Sequence, residues 1–130
     1  MKNEPLEADI LLVDDEEQFV STLSARLQLR GLKVEAAGNG MDAMRLVGKK
    51  VFDAIVLDLI MPGIDGIETL RRMKAFDPGL QIIMLTGRGT VTAGVEAMKA
   101  GALDFLIKPL DLNTLLAKIG TAKSNRMLLI

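Results

Sequence analysis

Five short runs divide this chain, four of them largely apolar and closed by a polar residue, and each is followed by residues at helical spacing. Ile10 to Val13 ends at Asp14-Asp15, and Ala54 to Leu57 ends at Asp58. Gln81 to Leu85 ends at Thr86, and Asp104 to Ile107 ends at Lys108-Pro109. The remaining run, Lys33 to Ala37, is more polar and suits a sheet edge. Continuous apolar runs of this length are what parallel strands need when helices cover both faces. Between them, Phe19, Leu23 and Leu27 mark a first helix from Glu16 to Arg30, with Gly31 as its stop. Met44 and Val47 mark a second helix from Met41; Ile67, Leu70, Met73 and Lys74 mark a third, closed by Asp77-Pro78-Gly79. Val95 and Met98 are expected to face inward from a fourth helix, Val91 to Ala100, with Gly101 as its stop. Asp111 is expected to cap a fifth, whose apolar positions are Leu115, Leu116 and Ile119. Five βα units with short connections predict an α/β fold: a (βα)5 doubly wound five-stranded parallel sheet in the flavodoxin-like order 2-1-3-4-5.

Composition narrows the chemistry. The 130 residues are the size of one domain, and 49% hydrophobic content suffices for a core. We expect an N-terminal extension over 1–8, the domain over 9–121, and over 122–130 the end of the last helix or a linker to an output domain. Sixteen basic against 17 acidic residues give a net charge of −1, which offers no electrostatic footprint for direct nucleic-acid binding. Cysteine and histidine are both absent, which removes disulfides, thiol or Ser-His nucleophiles and a histidine phosphocarrier. The charged stretch from Met1 to Asp9 does not read as a signal peptide, and no apolar run is long enough for a membrane. A soluble, cytoplasmic domain is expected.

The order 2-1-3-4-5 makes strands one and three neighbours at the topological switch point, so Asp14, Asp15 and Asp58 should crowd one crevice. Taken singly, a strand-end Asp is more often a helix cap, Lys108 a solvated charge, and Thr86 a turn residue. Together at the same edge they are better explained as a site. Three close carboxylates repel, and a hard divalent cation, Mg²⁺ or Mn²⁺, relieves that repulsion with oxygen ligands alone. Lys108 adds one mobile positive charge and Thr86 a hydroxyl donor. The set makes a pocket for phosphoryl oxygens with one Asp as nucleophile.

With Asp14-Asp15, Asp58, Met61-Pro62-Gly63, Asp65-Gly66, Thr86-Gly87 and Gly101-Ala102 through Phe105 to Lys108-Pro109, residues 8 to 120 resemble a receiver domain of a two-component response regulator. The resemblance implies a phosphorylation-dependent switch. Asp58 would accept a phosphoryl group from a sensor histidine kinase or phosphotransfer protein. Asp14, Asp15, Asp58 and the Ile60 backbone carbonyl would hold Mg²⁺. Thr86, the Gly87 amide and Lys108 would contact the phosphoryl oxygens, and Lys108-Pro109 is a candidate cis peptide. Thr86 and Phe105 would relay the change to the face made by helix four, strand five and helix five, where a homodimer could form. Ile60 and Arg88 would line the approach to phosphorus, with slow to moderate hydrolysis expected. The run from Asp104 to Asp111 and the Val95-Glu96-Ala97-Met98 helix resemble receivers attached to ATPase-type transcription activators, which implies an output domain as a further partner. Such a protein phosphorylates and dephosphorylates itself but is not an enzyme with a turnover substrate.

Three other readings compete. Gly38-x-Gly40-x-x-Ala43 has dinucleotide-fingerprint spacing, but on the expected edge strand, and it leaves Asp14, Asp15, Thr86 and Lys108 unexplained. A phosphohydrolase with an Asp nucleophile would want a carboxylate where Ile60 stands. A phosphorylation-independent dimerisation module would be signalled by a missing Asp58, Lys108 or acidic pair, and all are present.

Overall fold

The computed structural model describes residues 7–61, 63, 65–87 and 91–128. Five strands, β1 (Asp9–Val13), β2 (Lys33–Ala37), β3 (Ala54–Asp58), β4 (Ile82–Thr86) and β5 (Asp104–Ile107), alternate with five helices. These are α1 (Glu17–Leu29), α2 (Gly40–Val47), α3 (Gly66–Phe76), α4 (Val91–Lys99) and α5 (Leu112–Leu128). The strands form one sheet in the order β2-β1-β3-β4-β5, every pair parallel, as expected.

Alternation along each strand builds two cores. Leu11, Val13, Ile55, Leu57, Ile82 and Met84 point to one face and meet α2, α3 and α4 through Ala43, Leu70, Met73 and Ala97. Ile10, Leu12, Ala54, Val56, Ile83 and Leu85 point to the other and meet α1 and α5 through Leu23, Leu27, Leu115 and Ile119. Both faces are therefore dry, which is why β1, β3 and β4 read as unbroken apolar runs. Among the described residues no helix is long and apolar enough to cross a membrane.

Local chemistry sets the helix ends. Asn39, Asp65 and Asp111 accept hydrogen bonds from the backbone amides of Asp42, Glu68 and Thr114, satisfying first-turn donors. Gly31 and Gly101 sit at φ 90° and 107°, a backbone that stops α1 and α4 and that side chains disfavour. The last helix continues to Leu128, with Arg126 bonded to Asp77 at 3.0 Å and Asn125 to Gln81 at 3.0 Å.

One expectation fails. Val95 and Met98 are exposed, at 46% and 42%, while Gly94 and Ala97 form the buried side of α4. The cause lies on the neighbouring strand. Phe105 of β5 lays its ring against Gly94, where an added Cβ would stand 2.6 to 2.8 Å from three ring carbons. A helix that approaches so bulky a neighbour turns its small residues to it and leaves the large ones outside.

Candidate functional site

Register carries the polar residues to one edge. Val13 pairs with Leu57, Asp58 with Leu85, and Thr86 with Ile107, so the ends of β1, β3, β4 and β5 finish level. The backbone continues that order one residue further: Asp14 N–H donates to Ala37, Leu59 N–H to Leu85, and Lys108 N–H to Thr86. Asp14, Asp58 and Thr86 are buried despite their polarity, while Asp15 is exposed.

One oxygen from each of Asp14, Asp15 and Asp58 lies within 4.8 Å of the others. That separation and the all-oxygen donor set fit a hard divalent cation. The electrostatics agree. Burial and then the Asp14 charge push the Asp58 carboxyl up to about 6, against the opposing pull of Lys108. Ionised Asp58 is thus short of positive charge in its surroundings.

Lys108 supplies part of that charge, but obliquely. Its Nζ donates to Asp14 Oδ2 and Glu16 Oε1, both at 2.8 Å, and lies 3.9 Å from Asp58 Oδ2. Burial alone would lower its pKa; the bonds to Asp14 and Glu16, together with the charges of Asp58 and Asp14, outweigh burial and raise it. The ammonium also stands 4.2 Å from the centre of the Phe19 ring. The Lys108-Pro109 peptide is cis, as the resemblance implied.

The other expected residues fall around this centre. Thr86 Oγ1 donates to the Gly87 carbonyl at 2.9 Å. Gly87 and Lys108 both border a groove of about 500 Å³ between α1 and the β5–α5 connection, floored by Phe19, Leu23 and Leu110. Ile60 has its side chain exposed and its amide 3.5 Å from Asp58 Oδ1. Phe105 is half-buried, beside α4. Arg88 and Pro62 lie outside the described residues. Gly38, of the fingerprint-like stretch, follows edge strand β2, and open space surrounds the position of an added Cβ, so no close approach requires a glycine there.

Sequence reading missed Glu16 and Phe19 as parts of the site. Glu16 looked like a helix start and Phe19 like a core position; only the third dimension brings them to Lys108, 92 residues on from Glu16. Gly66, one of the residues that carry the resemblance, also has a packing role. It is buried against the end of β3, and a Cβ there would lie 2.4 Å from the Asp58 carbonyl and 2.6 Å from the Leu59 backbone.

A doubly wound sheet that gathers three carboxylates, a hydroxyl and an ammonium at its strand tips has the form of the receiver domain that the sequence resembles. Residues 10–120 match the family model described as the response regulator receiver domain, and the chain belongs to that family. It is 41% identical over 122 residues to the transcriptional regulatory protein ZraR of Klebsiella oxytoca, covering 94% of this chain and 28% of the relative. It is 40% identical over 110 residues to the response regulator MprA of Mycobacterium leprae, covering 85% and 48%. A response regulator receiver domain from Clostridium thermocellum superposes with TM-score 0.90 at 30% identity, over 95% of this chain and 99% of that one. NtrX of Brucella abortus superposes with TM-score 0.88 at 28% identity, over 95% and 28%. The chain thus spans about a quarter of the length of the ZraR relatives it matches.

Proposed function

We propose that this chain is a phosphorylation-dependent switch with Asp58 as its phosphoacceptor. The observation that carries the reading is the meeting of Asp58 with Asp14, Asp15 and Lys108 at one edge of the sheet. An Asp58 carboxylate oxygen forms a bond to phosphorus as the phosphorus–nitrogen bond of a phosphohistidine breaks, and the electron pair returns to the imidazole. The donor is a sensor histidine kinase or a phosphotransfer protein. Attack by water later returns the carboxylate and inorganic phosphate, so the domain modifies itself and turns over no separate substrate.

Asp14, Asp15, Asp58 and the Ile60 carbonyl are the groups that would hold Mg²⁺, or Mn²⁺ in its place. When bound, such a cation neutralises carboxylate charge and the charge developing on the phosphoryl oxygens. Lys108, the Thr86 hydroxyl and the Gly87 amide supply the remaining positive and donor groups. Lys108 is raised above its ordinary pKa and stays charged for that task. Burial of Asp58 keeps bulk water away from the acyl phosphate and limits its hydrolysis.

Movement of Thr86 towards a phosphoryl group would let Phe105 turn further inward, altering the α4–β5–α5 face. Val95, Met98 and Ile107 leave exposed apolar surface on that side, which supports its use in a homodimer. A longer protein would couple the change to an output domain, and transcription control is the output that the ZraR relatives favour. The cytoplasmic location expected above belongs to the same proposal.

Intact mass after incubation with acetyl phosphate tests the reading. The expected result is one added phosphoryl group, dependent on a divalent cation and lost in Asp58→Asn. No adduct with any divalent ion would overturn it in favour of a phosphorylation-independent interaction module.

A further inference from the structure

An ammonium has three N–H donors. On Lys108, Asp14 and Glu16 each accept one at 2.8 Å, and the Asp58 carboxylate lies just beyond bonding distance at 3.9 Å. A phosphoryl group on Asp58 would project its oxygens outward from that carboxylate, into reach of the third donor. What needs explaining is why so flexible a side chain waits in place.

Two of its contacts are independent of the acidic cluster. Glu16 is outside the set of Asp14, Asp15 and Asp58, and its side chain is 64% exposed. Phe19, one turn further along α1, presents its ring to the ammonium at 4.2 Å. A cation seated among the three Asp residues would draw on the charge of Asp14 and weaken its hold on Lys108. Glu16 and Phe19 would then be the contacts that remain. The repulsion of exposed Glu16 for a phosphoryl group is screened by water, whereas its hydrogen bond to Lys108 acts at short range.

We propose that Glu16 and Phe19 are positioning residues that hold the Lys108 ammonium where a phosphoryl group on Asp58 will meet it. The inference rests on the reading of Asp58 as phosphoacceptor. Glu16 fixes the donor direction of the ammonium, and the Phe19 face fixes its depth.

The test uses the full chain with Mg²⁺ and beryllofluoride, a phosphoryl mimic for carboxylates, with affinity followed by NMR titration. Glu16→Ala and Phe19→Leu are each expected to weaken binding about three- to fivefold. Glu16→Gln keeps an acceptor oxygen and Phe19→Tyr keeps a ring, so both should stay within about twofold of wild type. In a Lys108→Met background, Glu16→Ala should have no further effect. Before any ligand is added, the ring-shifted Lys108 ammonium resonance of the wild type should vanish in Phe19→Leu. A Glu16→Ala loss that persists in Lys108→Met, or an equal loss of Mg²⁺ affinity without beryllofluoride, would overturn the inference. Wild-type binding matched by both Glu16→Ala and Phe19→Leu would overturn the positioning role alone. A wild type that binds no beryllofluoride would overturn the phosphoacceptor reading and this inference with it.

Discussion

The two flanks of the sheet are packed to different standards. β3 and β4 are buried along their whole length, and β1 nearly so, locked between helices by Leu11, Leu57, Leu70 and Ile82. β5 is half-buried at best, Ile107 is exposed, and α4 meets it through glycine and alanine while Val95 and Met98 face solvent. The Asp residues of the site hang from the tight flank. Phe105 belongs to the loose one. Chemistry needs carboxylates held to within fractions of an ångström, which a close-packed core supplies. A response needs an element with two packings of similar energy, which a lightly packed edge supplies. On the proposed function, the contrast would give one domain both properties.

Gly66→Ala should break the tight side most severely. Its Cβ would drive into the backbone of Asp58 and Leu59, neither of which can yield, and a loss of about 4 kcal/mol or failure to fold is expected. Denaturant titration measures it; a near-neutral result would show that the end of β3 is softer than its packing implies. Next in size, Leu57→Ala, at the fully buried heart of β3, should cost about 3 kcal/mol, against about 1 kcal/mol for Phe105→Leu on β5. Equal losses would erase the difference between the flanks.

Asp58→Asn should act in the opposite direction. With the Asp58 carboxyl raised from 3.8 to about 6, the folded chain keeps a proton between those values that the unfolded chain releases. Stability contributed by this group is therefore present below about pH 4 and is lost as pH rises through 6. At pH 7 the Asn variant should be more stable by on the order of 1–2 kcal/mol, with the gap closing towards pH 4. Divalent cations should shrink the gap by stabilising the ionised wild type, and urea melts across pH with and without Mg²⁺ check both statements. The smallest effect is expected of Gly94→Ala. A gain of about 1 kcal/mol in helix propensity offsets the displacement of the Phe105 ring, for a net change near zero. The displacement itself should be plain in the ring resonances of Phe105.

The tight flank was the more legible in sequence. Its strands are continuous apolar runs because both faces are covered, and their polar ends announce where the sheet stops. Asp111 and Gly101 were readable as cap and stop because capping is local. The loose flank misled: helical spacing put Val95 and Met98 inward, since periodicity weighs large side chains and does not know that Phe105 awaits across the gap. Glu16 escaped for the same reason. Its partner Lys108 is distant in the chain, and nothing near Glu16 distinguishes it from an ordinary acid at a helix start.

Backbone amide NMR of the chain with Mg²⁺, before and after beryllofluoride, tests most directly whether a rigid site drives a loose reporter. Shifts are expected at the strand tips, as the ligand binds there, and then selectively across α4 and β5, Gly94 and Phe105 foremost, with the interiors of β1 and β3 unmoved. Shifts that stop at the strand tips, or spread evenly through β1, β3 and the helices packed on them, would contradict a rigid site driving a loose reporter.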